Sequence, residues 1–225
     1  MKFIRDSGQT AGLAASMAAY ILWGTLPIYW KLINHVPATE ILAHRIVWCF
    51  LFMVLFIVAT RRTSYFITEV RHLLADKKRI VNLLICAFLI SVNWLTYIWA
   101  VNDNRIIETS FGYYINPLVS VLLGIIVLNE RLAFWPAVSF VCATIGVAAT
   151  ILHAGAVPWV SLVLAVSFGL YGLYKKIVKL SAVTSITLET IIVLPVAMGY
   201  LLHLASLGEN SLNFDTLLVS GLLIG

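Results

Sequence analysis

The sequence predicts a polytopic α-helical membrane protein, on three observations about its hydrophobic residues. Hydrophobic residues make up 61% of the chain and charged residues only 11%, whereas a soluble domain is nearer half apolar and a quarter charged. Apolar runs of about 20 residues, long enough to cross the hydrocarbon core of a bilayer, recur along the chain. The short segments of alternating polarity that are typical of a transmembrane β-barrel do not occur, so the spans are helical.

Seven apolar runs have the length of a membrane span, and an eighth begins near Asp215 and continues to Gly225. The first run is not a cleavable signal peptide, because it is long, contains Pro27 and Lys31, and is followed at once by another span. The segment 61–79 mixes basic and apolar residues, which favours a helix at the membrane surface over a docking site for a regulator. The seven runs are 11–33, 38–60, 80–101, 109–128, 136–153, 157–174 and 183–204.

The positive charges are distributed unevenly between the two sides of these spans. With a cytoplasmic N-terminus, twelve of the fifteen Lys and Arg residues fall in cytoplasmic segments. The positive-inside rule therefore predicts that the N-terminus is cytoplasmic. The net charge of +5 reflects this topology and does not indicate a nucleic-acid partner.

The chain contains a weak internal repeat. GTLPIYWKLI at 24–33 resembles GLYGLYKKIV at 169–178, and the same offset places His44 opposite Glu189. Near the C-terminal end, LLVSGLLIG resembles LLICAFLIS of the third span. Three matches in the same order indicate two copies of one unit.

The repeat unit contains five spans, and because five is odd, the second copy enters the membrane from the opposite side. Inverted repeats of this kind recur in secondary transporters, which bind substrate near the midplane between the copies. We expect a first five-helix repeat at 1–154 and an incomplete second repeat at 155–225. A complete second copy would give ten spans and roughly 285–300 residues, which predicts a truncated product or a partial sequence.

Signatures of catalysis are absent from the sequence. It has no HExxH, no GxSxG, no P-loop and no GxGxxG after a strand. Cys49, Cys86 and Cys142 lie singly in separate spans without metal or redox spacing, which is typical of small packing residues. The sequence therefore predicts no enzyme, no cofactor and no metal site.

Polar residues inside the second span are the first candidates for a functional site, because such groups are costly in lipid. Glu40 and His44 are four residues apart and share a helix face, and Arg45 follows. Arg45 alone can extend toward the headgroups, but that interpretation leaves Glu40 and His44 unexplained. A cation and an imidazole that face a cavity suit an anionic substrate or proton coupling.

Other spans contribute single polar residues. Lys31 lies near the end of the first span, where headgroup contact and a site role both remain open, and Pro27 is expected to interrupt that helix. Asn93 in the third span is a candidate ligand or an interhelical hydrogen bond. In the fourth span, Tyr113 and Asn116 precede Pro117, and we expect them to present polar atoms to a cavity.

Glu189 in the seventh span has no basic residue close to it in sequence. A lone carboxylate there either finds a partner on another helix or is protonated. It is the candidate for proton exchange, with a structural salt bridge as the alternative.

Several of these stretches together resemble one family. WGTLPIYWKL, EILAHRIVW, NWLTYIWAVN, SFGYYINPLVSVLLGIIVLNERL and SFGLYGLYKK are similar to the RarD-type branch of the EamA family, in the drug/metabolite transporter superfamily. The resemblance runs through essentially the whole chain, up to the point where its eighth span stops at Gly225. It implies two inverted five-helix repeats in the bacterial inner membrane and secondary transport of small metabolites or drugs. The branch is named for a link to chloramphenicol sensitivity.

We therefore expect an alternating-access transporter with a cavity between the repeats. The cationic and imidazole groups would attract a polar or anionic solute, the amides and phenol would hydrogen-bond it, and Glu189 would exchange protons. A scaffold or regulatory protein without transport, and an inactive truncated transporter, are the alternatives. The residues expected along the path are Lys31, Glu40, His44, Arg45, Asn93, Tyr113, Asn116 and Glu189.

Overall fold

A computed structural model of the chain describes residues 7–154, 158–208, 211 and 221–223. Over these residues the protein is all-α, with eight helices. In chain order they are α1 (Ser7–Leu32), α2 (Ala38–Ala59), α3 (Thr63–Leu74), α4 (Lys77–Asn102), α5 (Ile106–Leu128), α6 (Phe134–Ala154), α7 (Trp159–Val178) and α8 (Ala182–Leu207).

Seven of these helices, all except α3, are long and apolar enough to cross a membrane. They match the seven predicted spans to within a few residues at each end. The predicted fold class, a polytopic helical membrane protein, is therefore confirmed. The span expected from Asp215 lies outside the described residues apart from 221–223, which are helical.

The helix predicted between the second and third spans is present as α3. Its Leu73 is buried in a small cluster with Leu83 and Cys86 of α4, so α3 packs against the start of that helix. The Asp76 carboxylate accepts hydrogen bonds from the backbone N–H groups at the start of α4, which is the usual role of an N-cap residue. The position of α3 at the membrane surface remains a prediction.

Glycines bring α5 and α7 together. A Cβ atom added to Gly112 would lie 3.1 Å from the Cβ of Leu164, and one added to Gly169 would lie 2.9 Å from a methyl of Val119. Small residues allow helix backbones to approach closely in a membrane, where apolar burial alone does not drive association. The Ser161 hydroxyl donates to the Glu108 carbonyl oxygen (2.6 Å) and ties the N-terminal ends of these two helices together.

α4 runs antiparallel to α7 and is fixed to it at both ends. At one end, the Arg79 guanidinium donates to the Val178 carbonyl oxygen (2.6 and 3.0 Å), which would otherwise be an unsatisfied acceptor at the C-terminus of α7. At the other end, the rings of Trp99 and Trp159 lie 5.5 Å apart.

α2 and α8 are also antiparallel, and a glutamate holds each end of the pair. In the Glu40 clasp, the Glu40 carboxylate accepts from the Ser211 N–H (2.7 Å) and hydroxyl (2.8 Å). In the Glu69 clasp, the Glu69 carboxylate accepts from the Ser181 N–H (3.0 Å) and hydroxyl (2.6 Å), and from the Thr184 hydroxyl. Ser181 and Ser211 lie on either side of α8, so this helix is bound at both ends.

The prediction that Pro27 interrupts the first helix is wrong, because α1 continues through it from Ser7 to Leu32. Proline removes one backbone N–H, and neighbouring helices can compensate for that loss in a membrane. α5 likewise continues through Pro117.

Candidate functional site

A cavity of about 360 Å³ lies among α1, α2, α4, α7 and α8; we call it the central cavity. Arg45 reaches it from α2 and Glu189 from α8, so the structure brings two of the predicted site residues to one space. Its lining residues are Trp23, Leu42, Arg45, Ile46, Cys49, Ile90, Ser91, Trp94, Phe168, Tyr171, Ile186, Glu189, Thr190 and Val193.

The Arg45 side chain stacks on aromatic rings inside the bundle. Its guanidinium carbon lies 3.3 Å from the centroid of the Trp94 ring and 5.5 Å from that of Trp30. Among the described residues, no carboxylate lies within ion-pair distance of it. The Arg45 side chain therefore packs against its own bundle, where aromatic faces stabilise its charge.

Glu189, in contrast, is surrounded by donors. It is 5% exposed, and its carboxylate accepts from the Ser185 hydroxyl (2.6 Å) and the Tyr171 hydroxyl (3.0 Å). The Lys175 ammonium lies 3.4 Å away and also donates to the Tyr171 hydroxyl. The partner required by a buried carboxylate is thus found across helices, on α7.

Lys175 was not among the predicted site residues, since the sequence places it in a run of positive charges at the end of a span. A signal was available: Tyr171 and Lys175 are four residues apart and share a face of α7. The second helix that carries the carboxylate could not be identified from that spacing alone.

Glu40 and His44 form the expected pair at the start of α2, with the His44 Nε2 atom 3.9 Å from a Glu40 carboxylate oxygen. Glu40 is only 1% exposed, and its position in the first helical turn favours a negative charge there. Within the part of the chain that the structure describes, neither side chain lines the central cavity. The pair belongs to the Glu40 clasp.

Asn93, Tyr113 and Asn116 are brought together at a second place, a gap of only about 10 Å³ among α4, α5 and α7. The Asn93 amide donates to the Leu164 carbonyl oxygen (3.0 Å) and the Ser167 hydroxyl (2.9 Å). Asn93 therefore makes the interhelical hydrogen bonds that were one of its two predicted roles. The gap is separate from the central cavity, although Phe168 lines both.

Lys31 lies outside both places. Its ammonium donates to the side-chain oxygen of Asn104, in the turn between α4 and α5. This contact ties the end of α1 to that turn.

A larger cavity of about 730 Å³ lies beside α1; we call it the α1 cavity. It shares Trp23, Arg45, Cys49 and Trp94 with the central cavity, so Arg45 faces both spaces. Trp30 and Trp48 also line it, and these tryptophans were not predicted. Trp48 follows Arg45 by three residues and therefore lies on the same face of α2.

Metal chemistry has no support in the described ranges, which contain no cluster of His, Cys, Asp and Glu side chains able to hold a metal ion. The fold and the cavity together define a polytopic helical membrane protein with a charged internal site large enough for a small molecule.

Comparison with known proteins identifies the family. The profile of the EamA-like transporter family matches residues 10–152. The chain is 45% identical over 205 residues to the uncharacterized transporter YojE of Bacillus subtilis, covering 89% of this chain and 68% of that protein. It is 40% identical over 221 residues to the protein RarD of Escherichia coli, covering 96% and 73% respectively.

A more distant relative is the chloramphenicol-sensitive protein RarD of Pseudomonas aeruginosa, which is 31% identical over 211 residues, 94% of this chain and 69% of that protein. No solved structure matches the chain. The chain belongs to the EamA-like transporter family and is RarD-like. This confirms the resemblance seen in the sequence and the prediction of a transporter rather than an enzyme.

Proposed function

We propose that this protein is an alternating-access secondary transporter of small metabolites or drugs, with its substrate site in the central cavity. The observation that carries the proposal is the contrast between two residues that face this cavity. Glu189 has three polar partners, whereas Arg45 has aromatic neighbours and no carboxylate within ion-pair distance among the described residues. A partly buried cation that has no counter-ion is unfavourable until a ligand supplies one.

Arg45 is the substrate-binding residue of this proposal. A guanidinium above an indole ring can form two parallel bonds from its N–H groups to one acceptor group. The Trp94 ring supports Arg45, with its centroid 3.3 Å from the guanidinium carbon.

Glu189 is the proton-exchanging residue. While ionised, it is paired with Lys175 and Tyr171 on α7. Protonation removes the negative charge and weakens that pair, which loosens the contact between α8 and α7. Proton binding on α8 thereby changes helix packing beside the substrate site, which is the coupling that a proton-driven carrier requires.

Inverted repeats supply the conformational change. In the sequence repeat, α2 corresponds to α8, and these two helices run antiparallel, as inverted copies must. The two clasps are reciprocal: the segment after α8 binds the start of α2 at Glu40, and the segment after α2 binds the start of α8 through Glu69. We propose that one clasp opens at a time, so that the cavity is reached from one side or the other.

The distribution of positive charge supports a cytoplasmic N-terminus in the bacterial inner membrane. In that orientation the Glu69 clasp is on the cytoplasmic side and the Glu40 clasp is on the outer side.

Cysteine labelling tests the proposal without knowledge of the substrate. Cys49 lines the central cavity and can be made the sole cysteine with Cys86→Ala and Cys142→Ser. We expect it to react with a membrane-impermeant methanethiosulfonate in both right-side-out and inside-out vesicles. Reaction from one side only would contradict alternating access, and no reaction in either case would contradict a water-accessible cavity.

A further inference from the structure

We infer that the solute bound in the central cavity is a small organic anion with a flat apolar body, held at its anionic group by the Arg45 guanidinium. The inference rests on the proposed function, because it names the class of solute for the same site. Three features of the described residues support it: the hydrogen-bond donors, the charge, and the shape of the walls.

The donors are the first feature. The Arg45 guanidinium faces both cavities and forms no ion pair with a carboxylate of the described residues. A guanidinium can donate hydrogen bonds but cannot accept them. A ligand that brings acceptor oxygens to the cavity therefore matches the free donors of its wall.

The charge is the second feature. Arg45 and Glu189 are the ionisable residues other than Cys49 and Tyr171 that line the central cavity, and Lys175 neutralises Glu189. Glu40 does not neutralise Arg45, because it is five residues earlier, about 140° around the helix, and binds Ser211. Among the described residues one positive charge is therefore not neutralised, so a monoanion makes the occupied site neutral and a cation is repelled.

The walls are the third feature. Trp23 and Trp94 line both cavities, and Phe168 and Tyr171 add two further rings to the central cavity. Its volume of about 360 Å³ lies at the lower end of the range of small-molecule sites. Flat aromatic walls around a single cation match a ligand with one anionic group and an apolar, planar remainder.

The reaction rate of Cys49 with charged thiol reagents can measure this charge preference. Cys49 follows Arg45 by four residues, shares its helix face and lines both cavities. The full chain with Cys49 as its sole cysteine would be placed in neutral phosphatidylcholine nanodiscs. Its reaction rates would be measured with sulfonatoethyl (anionic), trimethylammonioethyl (cationic) and methyl (neutral) methanethiosulfonate, each divided by the rate with free 2-mercaptoethanol.

We expect the normalised anionic rate to exceed the cationic rate by about tenfold, the lower end of the effect of a cleft with one sign of charge. Arg45→Gln should bring the ratio close to one, and Arg45→Lys should keep the anionic preference. The ratio is independent of how much Cys49 is ionised, because both reagents attack the same thiolate. A control with Ser64→Cys as the sole cysteine, exposed on α3 outside the seven spans, should show no dependence on Arg45.

The outcomes separate the two proposals. If the neutral reagent reacts but the cationic reagent is faster than the anionic one, the proposal of a substrate cavity survives and the proposal of an anionic solute is wrong. If the neutral reagent does not react with Cys49, the substrate cavity itself is contradicted, and this inference with it.

Ligand protection provides the second measurement. Phenylacetate should slow labelling of Cys49 by the neutral reagent, whereas phenethylamine and phenylacetamide at the same concentration should not. Equal protection by the amine would overturn the inference even if the labelling ratio favours the anion.

Discussion

The two charged side chains that line the central cavity, Glu189 and Arg45, are stabilised in different ways. On α8, Glu189 is embedded in a network in which Ser185, Tyr171 and Lys175 satisfy its carboxylate. On α2, Arg45 contacts the rings of Trp94 and Trp30 and has no carboxylate partner among the described residues. The network is complete within the described residues and stabilises the packing of α7 against α8, whereas we propose that the arginine binds a ligand. Under that proposal, a charge has a structural role on one wall and a binding role on the other.

This difference predicts opposite consequences for stability. Removal of one partner of a buried pair leaves an uncompensated charge. Removal of a buried cation that has no counter-ion takes away an unfavourable group. The following substitutions test the contrast, in order of decreasing expected effect.

Arg45→Gln should weaken anion binding without weakening the fold. Hydrogen bonds to a charged group contribute about 1.5–3 kcal/mol each, so affinity for an anion such as phenylacetate should fall by about tenfold to a hundredfold. Tryptophan fluorescence titration of the full chain measures this, because Trp94 contacts Arg45. The thermal unfolding temperature should be unchanged or higher, and a marked decrease would show that Arg45 is structural.

Lys175→Met should destabilise the fold, because it leaves Glu189 without its cation. We expect a loss of about 2 kcal/mol, below the 3–5 kcal/mol of a fully buried pair, since Lys175 is 26% exposed. Thermal unfolding in detergent measures it. Lys176→Met is the matched control: its salt bridge with Glu130 is mostly exposed, so its loss should cost at most about 0.5 kcal/mol.

The double substitution Lys175→Met with Glu189→Gln sharpens this result. Removing both charges should recover most of the stability, because no uncompensated charge remains. If the double variant is as unstable as Lys175→Met alone, the packing of the lysine stem, and not its charge, supports the fold.

Asn93→Ala should have a smaller effect, because a neutral interhelical hydrogen bond contributes about 1 kcal/mol. Thermal unfolding again gives the measurement. Asn116→Ala is the comparison, since the only hydrogen bond of the Asn116 side chain among the described residues is from the Ser120 hydroxyl at 3.5 Å. An equal loss for both variants would contradict the interhelical role of Asn93.

The Glu69 clasp provides a further test, on a glutamate that lies outside the membrane spans. Partial burial acts to raise the pKa of Glu69, but hydrogen bonds from Ser181 and Thr184 outweigh it and hold that pKa below its ordinary value. A lowered pKa stabilises the fold above the unfolded value of about 4.3, and this stabilisation is lost as the pH falls through the lower folded value.

Glu69→Gln should therefore be slightly less stable than the unmodified chain at pH 7 and equal to it at low pH. Thermal unfolding of both proteins between pH 3 and 7 provides the measurement. A stability difference that does not change with pH would mean that the ionised carboxylate is not what holds α3 to α8.

Much of the fold was predictable from the sequence, and the site was predictable in part. The seven spans were found because each must be apolar over a length set by the bilayer, which is a local property. Arg45 and Glu189 were predicted because ionisable groups in such runs are rare, and both line the central cavity, although their roles stay predictions. Asn93, Tyr113 and Asn116 were expected beside them, yet they meet at a separate gap, since spacing along one helix does not specify which neighbour its face contacts.

Lys175 and Lys176 show what the sequence determines by itself and what only the tertiary structure decides. The sequence determines that both lie in the last turn of a membrane helix, where cations are favoured by the helix dipole and by the membrane surface. Neighbouring residues are rotated about 100° from each other on a helix. Packing of α7 against α8 therefore places Lys175 beside the buried Glu189, while Lys176 meets the exposed Glu130. Two identical side chains acquire different roles because the contacts between helices depend on residues far apart in the chain.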